Sequence, residues 1–209
     1  MRNSTRAASI PWSGADLPNR ERDWKRNAVI RAAARAFATR GYHNTSLDDL
    51  AATLKVTKPT IYSYVDGKEE LLFECFRQGV DQILAGFREA ETQGGTARDR
   101  LMTVARHYAV AVTGDFGWSM VRLEEEDLAK SLSAKIKALK SEVDQGLRKL
   151  IRQGVVDGSI YASDPKMAAF ALAGALNWIA HWHRANDALS PEEIASRVLE
   201  IFELGLSPR

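Results

Sequence analysis

Apolar positions recur at helical spacing along most of this chain. Val29, Ala33, Ala36 and Phe37 stand at i, i+4, i+7 and i+8, one face of a helix from about residue 24 to Gly41, a glycine suited to a left-handed helix end. Thr45 and Ser46 each stand three residues before an aspartate, Asp48 and Asp49, giving two overlapping capping registers for a second helix with Leu47, Leu50, Ala51 and Leu54 inward. Thr57 can cap a third helix, and Pro59 is tolerated in its first turn, where its missing N–H would have no partner anyway. Ile61, Tyr62, Tyr64 and Val65 follow, and Asp66-Gly67 breaks the run.

A longer fourth helix is expected from Lys68 to Thr92, interrupted by Gln93-Gly94-Gly95. Further helices are expected over residues 97–112, 118–129, 131–153, 164–184 and 191–204, the last two opened by Asp164-Pro165 and Ser190-Pro191. No alternating strand pattern of convincing length is present and no internal repeat is found. The reading is all-α, about nine helices. Pro11, Gly14 and Pro18 among polar residues make 1–22 a flexible arm, followed by a three-helix unit at 23–67 and a helical domain at 68–209.

Composition narrows the class. Of 209 residues 45% are hydrophobic and 27% charged, ordinary for a chain that buries a core and unlike disordered, collagenous or disulfide-built ones. The single cysteine, Cys75, cannot form an internal disulfide, which fits a reducing cytoplasm, and between Phe73 and Phe76 it reads as a buried, inert thiol. The N-terminus lacks the apolar run of a signal peptide. The most apolar stretch, 167–180, is too short for a bilayer and is followed by His181, His183 and Arg184, so no membrane partner is expected.

Charge is uneven. Residues 1–70 carry 12 Lys and Arg against 8 Asp and Glu, and the remainder 17 against 19. The basic excess therefore sits with the three-helix unit, where contact with a polyanion makes sense.

Two short helices separated by a few residues have helix-turn-helix proportions. In that arrangement the second helix lies in the DNA major groove with its N-terminal residues at base edges. Thr57, Lys58, Thr60 and Tyr62 supply hydroxyl and ammonium donors of the kind used on phosphates, and Lys68 opens the next helix where it can hold another. Spacing alone leaves a compact three-helix unit with polar turns equally open.

The segment 30–72 closely resembles the N-terminal domain of the TetR family. The resemblance rests on Phe37-Ala-Thr-Arg-Gly41-Tyr42, on Thr45-Ser-Leu-Asp-Asp-Leu-Ala51, on Val56-Thr-Lys-Pro-Thr-Ile-Tyr-Ser-Tyr64 and on Gly67-Lys-Glu-Glu-Leu-Leu72, in family order and spacing. Val65 stands where the family usually has Phe, and Pro59 where Gly is common; Pro59 bears on which bases are read. The resemblance implies a homodimeric regulator of transcription, usually a repressor, with an inverted-repeat operator on double-stranded DNA and a small-molecule effector. It places Thr45 and Lys68 on phosphate, Thr57, Lys58, Pro59, Thr60 and Tyr62 toward the groove, and Tyr64 at the backbone or core. Residues 171–196 resemble members whose last two helices pair across a four-helix dimer interface, some of which respond to CoA thioesters or fatty acyl ligands.

Within the C-terminal domain, His107, Tyr108, Trp118 and Met120 are pocket candidates. Phe87 joins them as an apolar wall, with Arg122 at hand for a polar or acidic head group. Trp178 and Trp182 share a helical face and serve either a pocket or, the favoured reading, packing at a dimer core near Ala168, Ala171, Gly174 and Ala175. Glu124-Glu125-Glu126-Asp127 reads as a solvated helix face, the alternative being a carboxylate or Arg122 inside the pocket. His181 and His183 diverge by roughly 200° on a helix and cannot jointly hold a metal. No Ser/His/Asp spacing, phosphate loop or paired carboxylate points to an enzyme, and no cofactor is implied. The rival readings are an architectural DNA binder without an effector and a protein-interaction module.

Overall fold

The computed structural model describes residues 17–123, 128–184 and 187–204. Among them are nine helices: α1 (Leu17–Arg40), α2 (Leu47–Leu54), α3 (Lys58–Tyr62), α4 (Lys68–Thr92), α5 (Ala97–Thr113), α6 (Gly117–Arg122), α7 (Lys130–Asp157), α8 (Pro165–Trp182) and α9 (Pro191–Leu204). No strand occurs among the described residues.

The helix ends follow local chemistry. Ser46, not Thr45, caps α2: its hydroxyl accepts from the Asp49 N–H at 3.1 Å while the Asp49 carboxylate takes the Ser46 N–H at 2.8 Å. Thr96 and Asp99 repeat this box on α5, and the Asp164 carboxylate takes the Lys166 N–H at 2.8 Å ahead of α8. Gly158, with φ of +77°, ends α7 four residues beyond the expected Gln153. Two boundaries differ further. α1 begins at Leu17, inside the expected arm, because Pro18 falls in a first turn where proline is accommodated. α6 stops at Arg122 rather than at 129, and the Glu124–Asp127 run lies outside the described residues.

α1, α2 and α3 close around Ile30, Phe37, Leu50 and Ile61, all fully buried. The N-terminal turns of α4 seal this unit with Leu71 and Leu72, while its later turns pack along α5. α5 is the axis of the C-terminal domain, in contact with α4, α6, α7, α8 and α9. Its buried alanines, Ala105, Ala109 and Ala111, let those neighbours approach closely. One continuous apolar core runs from Val29 to Leu199, so the α1–α3 unit and the helical domain share α4 rather than a linker. Among the described residues no helix is long and apolar enough to cross a membrane.

Candidate nucleic-acid interface and effector cavity

α3 is held by one face and offers the other. Ile61 is fully buried, whereas Tyr62 is 50% exposed and Thr57, Lys58 and Pro59 are exposed beside it, with Thr60 half-buried. Thr57 caps the helix by accepting from the Thr60 N–H, and the two hydroxyls lie 2.8 Å apart, within hydrogen-bond reach of each other. The Lys58 ammonium reaches the Asp48 carboxylate on α2 at 2.8 Å, and that hydrogen bond raises its pKa. Lys68 sets its ammonium 4.2 Å from the centre of the Tyr42 ring and 3.5 Å from the His43 carbonyl, beside the turn that leads into α2. Tyr64 is half-buried against the core.

Thr45 does not join this surface. Its side chain is 2% exposed and its hydroxyl donates to the Gly41 carbonyl at 2.9 Å, closing the turn behind α1. The expected phosphate contact is corrected on that ground: the hydroxyl is spent inside the fold. Ser46, one residue on, is exposed at the α2 cap and takes the outward place. The two overlapping capping registers concealed which residue would face out.

Sequence reasoning also missed Arg26. From α1 it donates to the Tyr64 carbonyl at 3.2 Å and to Glu70 and Glu74 at 3.1 Å each, fastening the end of α3 to α4. Its long separation from those partners left no local signal to find.

Behind α4, a cavity of about 430 Å³ lies among α4, α5, α6, α7 and α8, with Phe76, Val80 and Ile83 as its α4 wall. Tyr108 and Met120, two of the pocket candidates, are among its lining residues. The Tyr108 hydroxyl donates to Asn177 Oδ1 at 3.2 Å, and burial pushes its pKa up to about 12, keeping it a neutral donor. Lys140, Ser141 and Asp144 supply polar groups along α7.

The remaining effector candidates lie elsewhere, for geometric reasons. His107 is a helical step of about 100° from Tyr108; it packs on Gly86 and bonds Glu89 at 2.9 Å. Trp118, two residues from Met120, points to the opposite side of α6, its ring 6.3 Å from Phe37 in the α1–α3 core. Arg122 is exposed at the end of α6. Phe87 lines a separate cavity against Gly146, and Trp178 is 63% exposed, stacked on His181 at 4.5 Å. Cys75 is buried, donates to the Ile30 carbonyl at 3.4 Å and has its pKa pushed up to about 12 by burial.

Family-wide sequence profiles match both halves: "Bacterial regulatory proteins, tetR family" over residues 29–75 and "Tetracyclin repressor-like, C-terminal domain" over 94–206. The chain belongs to the TetR family. As a TetR protein it is a DNA-binding regulator of transcription. It is 24% identical over 188 residues to the HTH-type transcriptional repressor KstR2 of Rhodococcus jostii, covering 88% of this chain and 91% of that one. It is 24% identical over 182 residues to the fatty acid metabolism regulator protein of Bacillus subtilis, covering 85% and 93%. Among solved TetR-type structures, AibR in complex with isovaleryl coenzyme A and operator DNA superimposes with a TM-score of 0.70 at 30% identity, covering 85% of this chain and 97% of that one.

Proposed function

We propose that this TetR protein represses transcription as a homodimer on an inverted-repeat operator and releases DNA when an acyl-CoA-type effector enters the cavity beside α4. Lys58, Pro59, Thr60 and Tyr62 on α3, with Thr57 at its cap, read the groove. Lys68 and Ser46 hold phosphate, and Tyr64 positions the helix end from the core.

The observation that carries this reading is the double role of α4. Its first turns seal the DNA-proximal core through Leu71 and Leu72, and its Phe76, Val80 and Ile83 form a wall of the cavity. A ligand that prefers a displaced α4 therefore moves α3 without touching DNA, and two reading helices engage both half-sites only near the groove repeat of about 34 Å. Emptying a nearly full operator requires about 5 kcal/mol of differential affinity summed over both sites. An apolar wall with Tyr108, Asn177 and Lys140 for polar groups suits an acyl chain carrying a polar head. The relative bound to isovaleryl coenzyme A and the fatty acid regulator support that class. An effector-free architectural DNA binder is not favoured, since it has no use for such a cavity.

The test titrates acyl-CoAs of graded length, free fatty acids and aromatic acids into the protein–operator complex. Release by an acyl-CoA is expected; release by none of them, with release by a cationic or flavonoid-like compound, overturns the ligand class while leaving the coupling through α4.

A further inference from the structure

A second cavity, of about 410 Å³, opens between α4, α5 and α7 on a different face of α7 from the effector cavity. Its chemistry is distinct. Arg88 of α4, Arg100 of α5 and Lys149 of α7 line it, each from a different helix, against the carboxylates Glu91 and Glu142, which leaves the cations in excess. Two polar atoms on it are buried without a hydrogen-bond partner, the donor Arg100 Nε and the acceptor Gln153 Oε1. Buried polar groups are nearly always paired, so an orphan donor and an orphan acceptor lining the same cavity leave it with unmet hydrogen-bonding capacity of both kinds. Leu84 and Phe87 add an apolar wall, the end of the Phe87 ring resting against the Gly146 backbone so closely that a Cβ there would lie 2.6 Å from it.

We propose that this cavity binds a nucleotide head group: phosphate against the cations, an N–H-bearing aromatic base against the Phe87 wall and Gln153. Guanidinium groups pair with phosphate oxygens through charge-assisted hydrogen bonds, which supplies what Arg100 Nε lacks. Gln153 Oε1 needs a donor, which a fully ionised phosphate ester or a simple fatty acid anion does not carry and an exocyclic amine does. The volume lies within the range of small-molecule sites. Two sources carry this chemistry, a free adenine nucleotide and the nucleotide end of a CoA thioester; only the second rests on the effector reading above.

The experiment measures binding of ADP, adenosine 3′,5′-bisphosphate, inorganic phosphate and CoA to the full-length protein by calorimetry. Both nucleotides are expected to bind at least about tenfold more tightly than phosphate, and Arg100→Gln to weaken them by about tenfold or more. Arg88→Gln, at an exposed position that leaves the core untouched, is expected to weaken them severalfold. CoA binding well above the bisphosphate points to the thioester as source; equal binding points to the free nucleotide. Absence of nucleotide binding at millimolar concentration, or wild-type binding by both variants, overturns the site. Nucleotide binding without operator release by any acyl-CoA keeps the site and overturns the effector reading. Operator release by acyl-CoA with no nucleotide binding does the reverse.

Discussion

Arg26 holds Glu74 across the α1–α4 joint, Nη1 to Oε2 at 3.1 Å, with the Glu74 side chain only 9% exposed. Arg77 donates to the same carboxylate, and Arg26 also carries Glu70, which accepts the Asp66 N–H in the α3–α4 connection. One guanidinium thus sets where α3 ends relative to α4. Arg26→Ala leaves a largely buried carboxylate with one partner fewer, a loss of about 2 kcal/mol. For a chain of this length that corresponds to a fall in Tm of about 4–8 °C by circular dichroism. An unchanged Tm would sink the clasp.

The same clasp sets a pH dependence. Burial pushes the Glu74 carboxyl up, but hydrogen bonds from Arg77 and Arg26, with their charges, outweigh it and hold its pKa below the ordinary 4.5. A carboxylate whose folded pKa is depressed contributes stability fully above its unfolded pKa and loses it as pH falls through the folded one. Unfolding free energy is therefore expected to hold from neutrality to about pH 5 and to decline below about 4.5. Glu74→Gln should flatten that decline; denaturant titrations across this range check it.

On the DNA face, the proposed phosphate contact of Lys58 requires that its ammonium leave Asp48, 2.8 Å away. Lys58→Ala and Lys68→Ala are each expected to weaken all duplexes alike and to lower the salt slope of binding by about one. Asp48→Asn releases Lys58 and should tighten non-specific binding, most at low salt. Thr60→Ala is expected to alter base preference instead. Filter binding or anisotropy over a salt series separates these outcomes, and lysine variants with wild-type slopes refute the phosphate roles.

Local chemistry explains what was legible beforehand. α4 and α9 run where expected because Gly67, Gln93 and Ser190-Pro191 punctuate the chain at their ends. α3 was placed by Thr57 and Pro59. The cavity is half legible: Tyr108 and Met120 line it, whereas Trp118 and His107 are only their neighbours along the chain. On helices, residues one or two apart face different neighbours, and which face meets the cavity is decided by tertiary packing. The Arg26 clasp spans up to 48 residues of separation, and no periodicity announces such a contact.

The α8 face bears on assembly. Met167, Phe170, Trp178 and Trp182 are 59%, 48%, 63% and 46% exposed along one side of that helix, an apolar stripe of the sort that marks an interface. Gly174 sits within it, and a Cβ built there meets nothing within 4 Å. Gly174→Glu is thus sterically free in the single chain and improves helix propensity, so its effect isolates association from folding. Monomers in sedimentation velocity at micromolar concentration, with operator binding lost, are expected. Dimers of undiminished affinity would place the interface elsewhere.

Gly79 offers a way to close the proposed effector cavity without touching the DNA face. A Cβ there would lie 2.4 Å from Met120 Sδ and 3.3 Å from Phe116 Cβ, so Gly79→Ala must displace the Met120 side chain. The thioether is flexible and its open direction is the 430 Å³ cavity it already lines. Overpacking of this kind costs about 1–3 kcal/mol of stability, tolerable if the wild type has an ordinary margin. Effector affinity is expected to fall about tenfold or more, because the ligand must expel a side chain from its own site, while operator affinity without effector stays at the wild-type value. The variant would behave as a repressor that no longer responds. Parallel titrations of operator and effector decide the matter: equal losses in both would mean that Gly79 serves α4 packing alone, and unchanged induction would mean that the effector binds in another cavity.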